Sequence, residues 1–89
     1  MIKINTKKVN WLSGEEEPIT MRTNNNKILK LNNTKEVYLA LNETCIQTWS
    51  HREPNGGSLY DGDIEFYEYQ CNDWDIFYKM IKPFVESEF

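Results

Sequence analysis

The side chains able to do chemistry in this chain fall into three sets: a lone histidine with two cysteines, a run of carboxylates among aromatic rings, and cations spread around an N-terminal tryptophan. His51 with Cys45 or Cys71 would make a base and a nucleophile if the fold joined them, but no local motif brings them together. A histidine at a strand end is the plainer reading. The cysteines stand 26 positions apart without Cys-x-x-Cys spacing. With only one histidine they cannot supply the usual zinc ligand pairs, and as free thiols they pack like small apolar residues. Asp61, Asp63 and Glu65 have the alternating oxygens that open an EF-hand loop, yet Phe66 and Asn72 occupy the places where that loop needs glycine and a bidentate glutamate. Gly56-Gly57 lacks the lysine and following helix of a phosphate-binding loop. Paired carboxylates suited to glycoside hydrolysis can be drawn from any acidic chain and specify nothing. No enzyme, metal or cofactor is expected.

The carboxylate set is the segment DGDIEFYEYQCNDWD, residues 61–75. Read as a strand, it points residues two apart the same way, so Asp63, Glu65, Tyr67 and Tyr69 share one face and Ile64 and Phe66 the other. If Ile64 and Phe66 take the core, an acidic, phenol-bearing surface is left in water. Glu68 falls on the inner face near the strand end, where it reaches solvent. Asp61, Asp63, Glu65, Tyr67, Glu68, Tyr69, Asp73 and Asp75 are then the candidate contacts with a partner. Tyrosine offers large contact area at low entropic cost, and carboxylates steer and pair with basic groups.

Charge is segregated along the chain. Residues 1–52 carry eight Lys and Arg against five Asp and Glu, whereas residues 53–89 carry two against nine. The formal net charge is −4 and the isoelectric point about 4.9. Lys3, Lys7, Lys8, Arg22, Lys27 and Lys30, interleaved with Trp11, have the ingredients of single-strand binding. The acidic balance opposes a phosphate backbone, so the reading here is no direct nucleic-acid contact, with these lysines keeping exposed strands soluble.

The elements that must position these groups are legible in part. Ile2 and Ile4, then Val9 and Trp11, alternate as a strand ending at Ser13-Gly14; Glu15 to Pro18 reads as a loop. Ile19 and Met21 begin a second strand, and Asn24-Asn25-Asn26 reads as the tip of a hairpin returning through Lys27 to Leu31, because asparagine tolerates positive φ. Residues 33–50 are ambiguous. Asn33 and Glu36 have the spacing of a helix capping box, but Val37, Leu39 and Leu41, then Cys45, Gln47 and Trp49, keep a two-residue beat, so two strands joined at Asn42-Glu43 are preferred. Pro54-Asn55-Gly56-Gly57 marks a loop and Asp61-Gly62 a turn, after which Ile64 to Gln70 reads as a strand. Asn72 or Asp73 caps a final helix whose apolar stripe is Trp74, Phe77, Tyr78, Ile81, Phe84 and Val85. Pro83 kinks or ends it near Lys82. The expected fold is α+β, a small antiparallel sheet of roughly four to six strands packed by a C-terminal helix, with a capped open barrel as the rival.

A chain of 89 residues supports one core, so residues 1–89 are expected to form a single domain. No secretory signal and no apolar run long enough to span a bilayer is present, which points to a cytoplasmic location with no membrane partner. The small size, acidity, asparagine and lysine usage and lack of catalytic motifs resemble the small inhibitor proteins of phages and mobile elements, of the anti-CRISPR and anti-restriction type. No motif is shared, so no residue role transfers. The resemblance implies a bacterial cytoplasm and, as target, a basic nucleic-acid-handling host protein such as a defence nuclease. The sequence therefore reads as a non-enzymatic protein-binding inhibitor. The alternatives are an immunity protein or antitoxin against a basic toxin, and a small hydrolase built on His51 and a cysteine. A homodimer through an exposed strand edge stays open.

Overall fold

A computed structural model describes residues 1–13, 17–55 and 62–89. Its elements run β1 (Ile2–Trp11), β2 (Ile19–Thr23), β3 (Ile28–Leu31), α1 (Thr34–Thr44), β4 (Cys45–Asn55), β5 (Gly62–Cys71), α2 (Trp74–Ile81), a short 3-10 turn (Lys82–Phe84) and β6 (Val85–Glu88). The six strands form one sheet in the order β4-β5-β1-β2-β3-β6, with every neighbouring pair antiparallel. This is the expected α+β class. Helix α1 carries the chain from β3 across to the far edge strand β4, and α2 returns it from β5 to β6 at the opposite edge. Both helices lie on one face, where Val37, Ala40, Leu41, Phe77 and Ile81 pack with Ile4, Ile19, Met21, Leu29, Leu31, Tyr69 and Cys71. Among the described residues no helix is long and apolar enough to cross a membrane.

Local chemistry explains most of the elements. Asn26 takes φ 66° in the turn between β2 and β3, the conformation anticipated for the asparagine triplet. Asp73 caps α2 by accepting a hydrogen bond from the Ile76 N–H at 3.2 Å. Pro83 ends that helix: α2 stops at Ile81, a 3-10 turn takes Lys82–Phe84, and the chain then forms β6 instead of further helix.

The strand reading of residues 33–44 is overturned. Thr34, Val37, Ala40 and Leu41 are the buried positions of α1, the spacing of one helix face, while Leu39, which carried the alternation, is 46% exposed. The capping box is absent too. Asn33 sits in the left-handed region at φ 54° and its side chain makes no capping bond. Only Cys45 onward is strand, and that strand includes Pro54 and Asn55, the first two residues of the expected loop, whereas Gly56 and Gly57 lie outside the described residues.

Strands β1, β4 and β5 are ten or eleven residues long, against four or five for β2, β3 and β6. The three long strands project as an arm, and the molecule measures 41 × 25 × 22 Å. At the arm's end Gly62 pairs with Trp11, and a Cβ there would lie 1.8 Å from the Asn10 carbonyl oxygen, so only glycine fits the approach.

Candidate binding surface

Register decides which side of the sheet each side chain takes. Ile4 faces Tyr69 and Thr23 across its two neighbours, and Thr6 faces Tyr67 and Met21. All of these lie on the helix side, since Ile4 and Met21 are fully buried and Tyr69 is 2% exposed. Hence Ile64, Phe66 and Glu68, of opposite parity on β5, point to the side without helices. The expectation that Ile64 and Phe66 enter the core is thereby inverted. Tyr69 is sealed in the core, where burial raises its hydroxyl to about 12, and Tyr67 packs at the core's edge against Tyr38, ring centroids 5.5 Å apart.

The continuous acid-and-phenol patch is therefore not formed. Asp63 and Glu65 lie on the helix side of the arm, facing Asn10 and Lys8 across the strand pairing. Asn10 donates through one amide to Asp63 at 2.6 Å and to Glu65 at 2.8 Å. Arg52 reaches both carboxylates, with its Nε 3.2 Å from Asp63, and the Tyr67 hydroxyl donates to Glu65 at 2.9 Å. Burial pushes the Glu65 carboxyl up, but hydrogen bonds from Asn10, Arg52 and Tyr67 outweigh it and hold it below its ordinary value. These acids are committed to neighbours within the chain. Glu68 lies on the opposite face, 3.8 Å from Lys3 and accepting from Thr48 at 3.2 Å. Asp73 is the cap of α2 and Asp75 sits in its first turn. Asp61 lies outside the described residues.

The side without helices carries a different constellation. One register row crosses the whole sheet: His51, Phe66, Lys7, Thr20, Lys30 and Ser87 are successive partners from β4 to β6. The next row holds Trp49, Glu68, Asn5, Arg22 and Ile28. Trp49 and His51 lie with ring centroids 5.8 Å apart and His51 and Phe66 6.0 Å apart, in near-parallel planes tilted by 21° and 27°. Trp49, 52% exposed, and His51 are open to solvent, and Phe66 is half-buried between the strands. Beside it, Asn5, Thr6, Lys7, Thr20, Arg22 and Phe66 line a shallow hollow of about 380 Å³. Lys3, Lys7, Arg22 and Lys30 all project from this face, accompanied by Glu68 and, at the edge, Glu53, which lies 3.4 Å from His51. A chain of net charge −4 thus presents a cationic, ring-bearing face.

The N-terminal cations are legible in the sequence but not their grouping, and the pattern assigns Phe66 to the core and Trp49 only to the beat of a strand, with no surface role for either. One signal was available. Cys71 ends the strand two residues before the Asp73 helix cap, and an apolar residue there belongs to the core, which places Tyr69 and Tyr67 inward by the two-residue beat. The noted cations also divide: Lys8 faces Glu65 on the helix side, and Lys27 pairs with Glu88 at 3.0 Å. The hydrolase pairing has no geometry, because His51 lies on the open face whereas both cysteines lie on the helix side at the far end of the β4–β5 hairpin, about 17 to 20 Å away at strand rise. Among the described residues no group of three or more His, Cys, Asp or Glu is placed to hold a metal ion. Comparison with protein-family models, with curated proteins and with solved structures finds no significant match.

Proposed function

We propose that this protein is a non-enzymatic binding module that holds single-stranded nucleic acid against the open face of its sheet. The observation that carries the reading is the row from His51 and Phe66 to Lys7, Thr20 and Lys30, which sets aromatic rings beside cations over about 19 Å at ordinary strand spacing. Unstacked bases pack on exposed aromatic faces, and cations alongside neutralise the phosphates that follow. The hollow around Phe66 supplies the rest of a nucleotide's needs: a ring, the Asn5 amide, the Thr20 hydroxyl and two cations. Duplex is a poorer fit, since its bases offer no free faces to the ladder. Part of the acidity that argues against a phosphate partner when averaged over the chain is held away from this face, Asp63 and Glu65 by Arg52 and Asn10 and Glu88 by Lys27, while four cations stand against Glu68 and Glu53 on the face itself.

The inhibitor reading needs a continuous surface of Asp63, Glu65, Tyr67 and Tyr69, and these residues are instead paired or buried. It becomes one outcome of the test. Fluorescence anisotropy of a labelled single-stranded DNA or RNA oligonucleotide, titrated with protein at low salt, should give saturable binding. Stacking is worth about 1–3 kcal/mol per base, so Phe66→Ala should weaken it roughly 5- to 150-fold. Lys7→Glu with Arg22→Glu should abolish it while the circular-dichroism spectrum and melting temperature stay near wild type. If three phosphates are contacted, affinity falls about 20-fold between ~50 and ~200 mM salt. Absence of binding to either oligonucleotide at low salt refutes the proposal. Capture of a basic protein from nuclease-treated host lysate, lost on Asp63→Lys with Glu65→Lys, would restore the inhibitor reading.

A further inference from the structure

The two cysteines, unrelated in the sequence, are direct cross-strand partners. Cys45 is the first residue of β4 and Cys71 the last of β5, and they face each other in register on the helix side, next to Ile2. Both are free thiols. We infer that Cys45 and Cys71 form a site of reversible oxidation, closing to an intrachain disulfide that ties the edge strand β4 to β5. This inference stands independently of the binding reading.

Opposed residues of an antiparallel pair have Cα atoms about 4.5–5.5 Å apart, within the roughly 4.4–6.8 Å that disulfides span. Their Cβ atoms, at about 4.5–5.5 Å, must draw together slightly, and a bond closed against such resistance is readily reduced again. Access is asymmetric. Cys71 is fully buried, whereas Cys45 is only partly covered and has the Thr44 hydroxyl 3.4 Å from its sulfur. Cys45 is thus the thiol an oxidant meets first. With a small disulfide such as oxidised glutathione, the Cys45 thiolate attacks one sulfur and releases one glutathione thiolate. The Cys71 thiol then attacks the Cys45 sulfur of the mixed disulfide, its proton passing to the departing thiolate, so that the second glutathione leaves as a thiol. Two protein thiols are oxidised, one glutathione disulfide is reduced to two thiols, and no other reactant is needed. Burial raises the Cys45 thiol to about 12, so the first step is slow at neutral pH and accelerates as pH rises.

The position gives the bond leverage. Among the described residues strand β4 pairs only with β5, and Cys45 is where α1 hands the chain to it. Closing the ring between residues 26 positions apart limits the unfolded chain and should raise the melting temperature by an amount on the order of 10 °C.

The test incubates the folded protein with mixtures of reduced and oxidised glutathione, quenches with acid, alkylates and reads intact mass. As the oxidised share rises, a monomer lighter by two hydrogen atoms and carrying no alkyl group should accumulate, and a non-reducing peptide map should join the segments containing Cys45 and Cys71. Cys45→Ser should remove this species. Cys71→Ala, which keeps a small apolar side chain, should stop at glutathione on Cys45. Wild-type protein in which both cysteines stay alkylatable at every ratio, before and after refolding in the same buffer, overturns the inference. So does a wild-type product that ends as a glutathione adduct without ring closure.

Discussion

The inversion of β5 can be tested by two substitutions three residues apart. Tyr69 is 2% exposed and touches the core cluster, whereas Phe66 points to the open face and is only half-buried. An aromatic side chain buries roughly 150–250 Å², worth about 4–6 kcal/mol at ~25 cal/mol per Å². Removing one from a core costs about 3–5 kcal/mol once the alanine left behind and partial collapse are counted. Tyr69→Ala should therefore lose about 4 kcal/mol, a large part of the 5–15 kcal/mol typical of a domain. Phe66→Ala forfeits contact on one side only and should lose about 1 kcal/mol. Urea unfolding followed by tryptophan fluorescence separates the two. With a slope near ~1 kcal/mol per molar, the Tyr69→Ala midpoint should fall about 3 M further than that of Phe66→Ala. Should Tyr69→Ala leave no folded baseline, Tyr69→Leu keeps much of the buried volume and should still lose more than Phe66→Ala. A larger loss at Phe66 than at Tyr69 would refute the assignment of faces and, with it, the open-face ladder.

Other outcomes follow from the same geometry. Glu65 is held below its ordinary pKa of 4.5 in the folded protein, so its contribution to stability is full above that value and is lost as pH falls through the folded one. Melting temperature should decline as pH drops below 4.5, and Glu65→Gln should flatten that decline. Gly62→Ala puts a methyl group against the Asn10 carbonyl and should disrupt the β5–β1 pairing at the arm's end, seen as faster amide exchange in residues 8–11 with the helices unaffected. Glu68→Lys removes the negative charge between Trp49 and Asn5 and should tighten oligonucleotide binding severalfold by anisotropy, whereas an acidic contact surface for a basic partner would be weakened by the same change.

Several elements were legible because their signal is local. The β2–β3 turn rests on asparagine's tolerance of positive φ, the start of α2 on the Asp73 cap, and its end on Pro83. The stripe Trp74, Phe77, Tyr78, Ile81 has no competing reading. Helix α1 was misread because Val37, Leu39 and Leu41 satisfy the strand period, and Val37 with Leu41 satisfies the helix period equally. Burial of Thr34 and Ala40 and exposure of Leu39 settle it, and those depend on what α1 packs against. Strand β6 was missed because its four residues gain regular structure only from pairing with β3.

What the sequence determined by itself was periodicity: an alternating β-rich chain, a capped amphipathic helix, and an uneven spread of charge. A two-residue beat sorts side chains into two sets but does not say which set faces inward, and on β5 both sets contain apolar residues. That choice belongs to the tertiary structure, because the helices cover the face that Ile4, Met21, Leu29 and Tyr69 share and leave the other in water. The same cause gathered Lys3, Lys7, Arg22 and Lys30 beside Phe66, His51 and Trp49, and set Cys45 opposite Cys71. Such neighbours are made by strand register between segments distant in the chain, where the physics is pairing and burial across space, not spacing along the backbone.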